Sequence, residues 1–179
     1  MMAAGDPRIN ENFVLIAFQT LFAINHNYWA ARFQQQSPTA SDEELFHLAR
    51  QRNVAEFQTI TFNQYLPLLL GDIYSTAYPG YSDSVDASSN QEMLVAAFRF
   101  GHSTVSPLFL RRTVDNDAAG GDILLRDTYF QPDRYTATGG TESLLYGMMY
   151  QRMQQVRPTS LSLSLSLSLS LSLSCHHPR

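Results

Sequence analysis

The sequence predicts a mainly α-helical domain followed by a low-complexity tail, and three observations lead to this expectation. Apolar residues recur at helical spacing over long stretches, and capping signals precede several of those stretches. Of the 179 residues, 44% are hydrophobic and only 16% are charged, which is sufficient for one domain with a sizeable core. In the last part of the chain, by contrast, Ser and Leu alternate without a break.

Charge and hydropathy argue against two kinds of partner. Twelve Lys and Arg residues against sixteen Asp and Glu give a formal net charge of −4, and no basic run is present to follow a phosphate backbone. We therefore expect no nucleic-acid partner. No apolar run reaches the roughly 18 residues that indicate a membrane span, so no transmembrane segment is expected in this chain. The first residues also lack the charged and apolar regions of a signal peptide.

The first predicted helix follows a typical start signal. Asp6 suits the N-cap position and Pro7 the first helical position, and the helix is expected to reach about Gln35. Several large apolar side chains share one broad face, which favours a buried helix. These are Phe18, Leu21, Phe22, Trp29 and Phe33.

The second predicted helix begins at a capping box formed by Ser41 and Glu44. It is expected to continue, with a bend, to Leu70, because Gly71 then provides a stop signal. The segment 72–86 is rich in Tyr, Pro, Gly and Ser and is predicted to be a loop.

Three further elements are predicted in the second half of the chain. Ser88 and Gln91 form another capping box, and a third helix is expected over 92–108. The apolar segment 123–125 predicts a short extended piece. A fourth, shorter helix is expected to start at two consecutive glycines and to end at about Gln155.

The tail, 157–179, differs from the rest of the chain in its pattern. Strict alternation of Ser and Leu nominally describes a strand with one leucine face. A repeated TC dinucleotide, however, encodes Ser and Leu in alternation, so we interpret the tail as translated repetitive DNA, either disordered or an artefact of the gene model. Cys175, His176 and His177 are not expected to bind a metal, because they do not complete a closed ligand set.

Three blocks of the sequence resemble the animal haem peroxidases in both their letters and their order. The first is GDPRINEN at 5–12, leading to Asn25-His26-Asn27. The second runs from Ala49-Arg50 to TFNQYLP at 61–67, and the third is AAFRFGH at 96–102. The family includes the myeloid, thyroid and peroxidasin-type enzymes and the peroxidase-homology domains of dual oxidases. The resemblance covers 5–156, which we interpret as a partial animal haem peroxidase domain. It implies a mainly α-helical domain that surrounds a haem.

The resemblance implies a cofactor-binding role for two residues of the third block. Its histidine is the proximal ligand in the family, so His102 is the expected ligand of the haem iron, for which a neutral imidazole is suited. The alternative is a buried helix histidine whose ring is bonded to a carbonyl group. Arg99 is expected near the proximal face or a haem propionate, with a buried structural ion pair as its alternative.

The first block carries the other expected site residues. Arg8 matches the family's distal arginine, a catalytic residue whose fixed charge stabilises the oxygen that departs when peroxide is cleaved. The alternative is an arginine at a helix start that pairs with Glu11. Glu11 matches the carboxylate that forms an ester with a haem methyl group in several members, and is an expected cofactor-binding residue. Asn12 replaces the methionine of some members, so a further haem link is not expected.

Other parts of the family's site are not expected in this chain. In the family, the distal histidine that acts as acid–base catalyst and the calcium-binding loop precede the first block. The asparagine that orients the proximal histidine follows the last block. His26 is instead expected to be structural, and His47 is expected to face solvent. The chain is therefore expected to be a fragment with weak or no activity alone.

The function implied by the resemblance is that of a haem-dependent peroxidase. Such an enzyme reduces hydrogen peroxide and oxidises a halide or an organic electron donor, and the full domain also binds calcium. A secreted or extracellular location is implied as well. The second reading is a non-catalytic peroxidase-homology module for adhesion or for partnering an oxidase, because Tyr28-Trp29-Ala30 resembles the dual-oxidase type. Retention of Arg8 and His102 favours the enzyme.

Overall fold

The computed structural model describes residues 4–71, 80–137 and 140–155 and confirms a mainly α-helical chain with few strands. The chain divides into two compact units, of which the first ends at Tyr81 and the second begins at Ser82. The predicted tail 157–179, with Cys175 and the two histidines after it, and most of the predicted loop 72–86 lie outside the described residues. No helix in the described part of the chain is long and apolar enough to cross a membrane.

The first unit opens with a short 3-10 helix and continues with a long α-helix. Asp6 caps the 3-10 helix Pro7–Asn10, as predicted, because its carboxylate accepts a backbone N–H at 2.9 Å. This helix ends after one turn, and α1 (Phe13–Gln36) starts from a second cap. That cap is Asn12, whose side-chain oxygen accepts a backbone N–H at 3.0 Å.

The capping box predicted at Ser41 and Glu44 is confirmed. Ser41 Oγ accepts the Glu44 N–H at 3.3 Å, and the Glu44 carboxylate accepts the Ser41 N–H at 2.8 Å. The helical segment that follows has one irregular turn, a type of site where helices commonly bend. Its parts are α2 (Asp42–Ile60), a π-helical turn (Thr61–Tyr65) and α3 (Leu66–Leu70). Gly71 ends the segment with a φ of 59°, a conformation that glycine adopts without strain.

Polar side chains join α1 to α2. Asn25 Nδ2 donates to Asn53 Oδ1 at 2.9 Å and to Glu56 Oε2 at 2.6 Å. The Arg52 guanidinium lies 4.5 Å from the centre of the Trp29 ring, within the range of a cation–π contact. The two helices are thus held by directional contacts in addition to apolar packing.

The expectation of a buried α1 is wrong for most of the helix. Phe13, Ile16 and Ala17 are buried near its start, but Phe18 and Leu21 expose 43% and 39% of their surface. The helical spacing predicts which side chains share a face. It does not predict how much of that face the described residues cover.

The predicted helix 92–108 starts within one residue of the observed helix, but its predicted cap and its length are wrong. The N-cap is Asn90, whose side chain accepts a backbone N–H at 2.8 Å, and not Ser88. α4 (Gln91–Val95) is short, and an eight-residue 3-10 helix, Ala97–Thr104, follows it. The later part of the segment contains Gly, Ser, Thr and Val, which are weaker α-helix formers than the Ala and Leu before them.

A two-stranded antiparallel sheet lies in the second unit, and the predicted extended segment 123–125 provides one of its strands. β1 (Leu108–Phe109) pairs with β2 (Ile123–Leu124), and Phe109 lies opposite Ile123. Both of these opposed side chains are buried, and a short 3-10 helix, Leu125–Asp127, follows β2. Other buried apolar side chains of this unit are Tyr135 and Leu144.

Two helices complete the second unit. The sequence did not predict α5 (Pro132–Ala137), whereas α6 (Gly140–Tyr150) starts as predicted but ends before Gln155. Gly147 of α6 approaches the chain after β1 closely, since a Cβ built on it would lie 1.8 Å from the carbonyl oxygen of Leu110. Only glycine fits this approach without a shift of the backbone.

Gln151, directly after α6, pairs with the chain around β1 through its side-chain amide. Its Nε2 donates to the carbonyl of Leu108 at 2.5 Å, and its Oε1 accepts the N–H of Leu110 at 3.2 Å. The amide therefore takes the place of a neighbouring strand. This contact fixes the end of α6 against the sheet.

Candidate functional site

The first group of expected site residues lies at the 3-10 helix Pro7–Asn10. The Arg8 guanidinium forms an ion pair with Asp6, in which Nε donates to both carboxylate oxygens at 3.0 and 2.9 Å. Nη2 also donates to Oδ2 at 2.5 Å. Because Asp6 accepts the backbone N–H of Arg8 as well, one carboxylate holds both the backbone and the side chain. The ion pair of Arg8 is thus formed with Asp6, whereas Glu11, the alternative partner, acts on the guanidinium only through its charge.

This ion pair controls the protonation of Asp6. Hydrogen bonds from the side chain of Arg8, followed by its backbone N–H, lower the pKa of Asp6 from 3.8 to about 2. The same contact raises the pKa of Arg8. Arg8 therefore presents a permanent positive charge at a fixed position, although 80% of its side chain is exposed to solvent.

Arg8 and Glu11 line the same open hollow, which has a volume of about 370 Å³. Glu11 is half-buried, and its N–H donates to the Arg8 carbonyl at 3.0 Å. Leu15 and Ile9 contribute an apolar wall, and Asp6 contributes a second carboxylate. The hollow thus brings together the two site residues that the first block predicts.

The second group lies on the 3-10 helix Ala97–Thr104. The His102 side chain is exposed, and no described residue forms a hydrogen bond with its ring nitrogens. The alternative of a buried histidine bonded to a carbonyl is therefore wrong. A Cβ built on the preceding Gly101 would meet no atom within 4 Å, so the backbone beside the imidazole is open as well.

Arg99 lies one turn before His102 on the same 3-10 helix. Such a helix has about three residues per turn, so these two side chains lie on the same side of it. Arg99 is exposed, and within the described ranges its guanidinium forms no ion pair. The alternative of a buried structural ion pair is therefore wrong. A cation is available on the side of the helix that carries the imidazole.

The two histidines of the first unit have partners, as expected. His26 Nε2 lies 3.2 Å from the carbonyl oxygen of Phe46, and Nδ1 lies 3.2 Å from the side-chain oxygen of Asn27. His47 is exposed to solvent and lies 2.9 Å from a Glu43 carboxylate oxygen. The solvent-facing position predicted for His47 is confirmed, and the two contacts of His26 support the structural role predicted for it.

Comparison with known proteins decides the family. A family model described as animal haem peroxidase matches residues 1–171. The chain belongs to the animal haem peroxidase family. The resemblance inferred from the three sequence blocks is thereby confirmed, and the match includes residues of both units.

Individual members of the family match over most of this chain. A peroxidasin homologue of Caenorhabditis briggsae is 32% identical over 166 residues, which are 88% of this chain and 13% of the relative. Peroxinectin A of Dictyostelium discoideum is 32% identical over 156 residues, which are 87% of this chain and 28% of the relative.

A solved peroxidase structure also matches this chain. Peroxidase A from Dictyostelium discoideum superposes with a TM-score of 0.80 at 30% sequence identity. The match covers 87% of this chain and 30% of that one. This chain therefore spans less than a third of the length of each of these three proteins.

The donor set of the described residues fits a haem. The porphyrin supplies four of the iron ligands, so the protein needs to provide only an axial one, for which a neutral imidazole is suited. His102 offers an exposed imidazole with no competing partner among the described residues, and Arg99 offers a cation that suits a propionate. Groups of three or more His, Cys, Asp or Glu are not found in the ranges that the structure covers, and an axial haem site does not require one.

Sequence reasoning missed two residues that support these groups. Asp6 was predicted only as a helix cap, although its position two residues before an arginine also permits the ion pair. Thr104 was not singled out, but its hydroxyl donates to the Gly101 carbonyl at 2.7 Å. A threonine three residues after a carbonyl in a helical segment is a known signal for this bond.

Proposed function

We propose that His102 is the proximal ligand of a haem iron, and that the protein to which this chain contributes is a haem-dependent peroxidase. Such a protein reduces hydrogen peroxide and oxidises a halide or an organic donor. The observation that carries the proposal is the exposed His102 imidazole, without a partner among the described residues, in the block that matches the family. His26 and His47, which lie outside that block, both have partners.

The haem, when bound, supplies the electron transfer that reduces peroxide. His102 would hold the iron through an imidazole nitrogen and would make the metal more electron-rich. Arg8 supplies a fixed positive charge to the peroxide oxygen that gains negative charge as the O–O bond breaks. Because Asp6 already orients the guanidinium, Arg8 needs no rearrangement to provide that charge.

Glu11 and Arg99 hold the cofactor in this proposal. Glu11 lines the hollow beside Arg8, and its carboxylate would hold the haem through an ester to a methyl group, as in several family members. The methyl group would lose a C–H bond in that step, with hydrogen peroxide as the two-electron oxidant. Arg99 pairs with a haem propionate on the side of the helix that carries His102. An exposed arginine of this kind gains stabilisation when a carboxylate binds it in a site from which water is excluded.

We further propose that the whole protein acts outside the cell and that its full domain also binds calcium. The chain alone is expected to be a weak catalyst, since the resemblance places the family's distal histidine before the first block. A missing acid–base group typically lowers the rate by about 100- to 10,000-fold.

One observation favours a second candidate, a non-catalytic peroxidase-homology module for adhesion or for partnering an oxidase. The Arg8 guanidinium keeps its charge, but the Asp6 carboxylate beside it offsets part of its attraction for another anion. In that case haem binding, if present, would serve structure and not turnover.

Peroxide-dependent oxidation of a phenolic donor separates the two candidates. The full chain is loaded with haem and compared with free haem at equal concentration and with the Arg8→Gln variant. If the protein is an enzyme, turnover should exceed that of free haem. Arg8→Gln should then be slower by about 100-fold because a preorganised charge is lost. The control is Arg32→Gln, which removes an exposed arginine that contacts Tyr28.

Turnover equal to that of free haem, in a chain that has taken up haem, would favour the module. A chain that takes up no haem would contradict the proposal that His102 binds iron.

A further inference from the structure

The backbone just before His102 contains the residue with the greatest conformational freedom in its helix. Gly101 has no Cβ, and nothing lies within 4 Å of the position that one would occupy. The 3-10 helix that contains it has eight residues, whereas runs longer than three or four are uncommon because their hydrogen bonds have poor geometry. The direction of the His102 side chain therefore needs support from outside the helical backbone.

Thr104 provides a bond at this point. Its Oγ1 donates to the Gly101 carbonyl oxygen at 2.7 Å, and Thr104 is half-buried. That carbonyl belongs to the same planar peptide group as the backbone nitrogen of His102. Holding the oxygen therefore holds the plane, and with it the position of the His102 nitrogen and Cα, from which the side chain extends.

Thr104 is itself anchored to another part of the second unit. Its carbonyl oxygen accepts the N–H of Gln154 at 3.0 Å. Gln154 follows Gln151, whose side-chain amide pairs with the chain around β1. Hydrogen bonds at Gln151, Gln154 and Thr104, joined by the short chain segments between them, thus lead from the sheet and the end of α6 to the peptide group before His102.

We propose that Thr104 is a positioning residue for the imidazole of His102. The inference rests on the proposed function, because it assumes that His102 is the axial ligand. Thr104 touches neither the cofactor nor the peroxide in this account. It fixes the Gly101–His102 peptide plane, so that fewer directions are open to the imidazole before haem binds and less conformational entropy is lost on binding.

Backbone amide relaxation in the haem-free full chain tests the first step. In the unsubstituted chain, Gly101 and His102 are expected to have order parameters near the value of about 0.85 that is typical of rigid backbone. Thr104→Val removes the hydroxyl at nearly constant shape and is expected to lower both values below about 0.6. Thr104→Ser keeps the hydroxyl and is expected to restore them.

Thr136→Val is the matched control. Thr136 makes the same type of bond, to the Asp133 carbonyl at 2.9 Å, but it is exposed and lies on α5. Thr136→Val should leave the order parameters of Gly101 and His102 unchanged. If Thr104→Val does not fold, the unsubstituted chain still provides a test, because the Thr104 hydroxyl proton must exchange slowly with water. A rapidly exchanging hydroxyl would overturn the proposal.

Haem titration followed by absorption tests the second step. Thr104→Val is expected to bind haem about fivefold more weakly, which corresponds to the net contribution of one hydrogen bond, and Thr104→Ser should bind as the unsubstituted chain does. Equal affinities and equal order parameters in Thr104→Val would overturn the positioning role while leaving the ligand role of His102 intact. If His102→Ala binds haem like the unsubstituted chain, the proposed ligand is wrong, whatever Thr104 does.

Discussion

The two groups of site residues present their functional side chains in opposite ways, although both lie on 3-10 helices. At the helix Pro7–Asn10, the charge of Arg8 is held by an adjacent carboxylate. At the helix Ala97–Thr104, the imidazole of His102 has no partner among the described residues, and only the backbone beside it is fixed.

The difference follows from the chemistry that each side chain is proposed to perform. A guanidinium acts through its charge, which an ion pair orients without removing. An imidazole acts through a nitrogen lone pair, and a hydrogen bond to the ligating nitrogen would compete with a metal. Support for Arg8 is therefore local, within two residues of the chain, whereas support for His102 comes from Gln154 and the region after α6.

Gly147→Ala tests the packing of α6 against the chain after β1, because the support of His102 comes from the region after α6. Its effect on stability is expected to be the largest of those considered. The added methyl group would lie 1.8 Å from the carbonyl oxygen of Leu110, so backbone must shift. We expect a loss of about 3 kcal/mol in the free energy of unfolding, measured with denaturant. The control is Gly121→Ala, where no atom lies within 4 Å of the new Cβ. Equal unfolding midpoints for the two variants would show that α6 does not pack in this way.

Arg8→Gln tests whether the contacts of Arg8 are confined to the 3-10 helix Pro7–Asn10 and its cap. Its effect on the free energy of unfolding is expected to be small because the ion pair is exposed. The pKa of Asp6 should rise from about 2 toward 3.8, measured by carboxyl NMR titration. Because folding lowers this pKa, the pair contributes stability above the unfolded value. That contribution is lost as the pH falls through the folded value.

The stability difference between Arg8→Gln and the unsubstituted chain should therefore be present at neutral pH and vanish below about pH 2. Arg32→Gln, on α1, should leave the titration of Asp6 unchanged. An Asp6 carboxyl that titrates at 3.8 in the unsubstituted chain would show that the ion pair does not form in solution.

Local signals in the sequence predicted the elements that depend on local bonds. The Asp6 cap and the Ser41–Glu44 capping box were predictable because each is formed within three residues. The end at Gly71 was predictable because its backbone conformation suits glycine. The start of the helix before His102 was not predictable in the same way. Asn90 and Ser88 are both good caps, and the choice between them depends on the fold.

The site residues were predicted from family blocks, but their contacts were not. The letters around Arg8 and His102 do not show that the first is paired with Asp6 and the second is exposed. Nor does periodicity show that Thr104 is anchored by Gln154, because that bond joins segments separated by the sheet, a 3-10 helix and two α-helices. Contacts between distant segments are set by tertiary packing, which a sequence pattern does not specify.

The central claim is that His102 is the residue through which this chain binds haem iron. Absorption titration of haem into the full chain tests it most directly, with His102→Ala as the variant and His47→Ala as the control. We expect a shifted Soret band for the unsubstituted chain and for His47→Ala. For His102→Ala we expect a haem affinity lower by more than about 100-fold, because even residues that only support a metal ligand contribute about 10- to 100-fold. An unchanged band and affinity in His102→Ala would contradict the account.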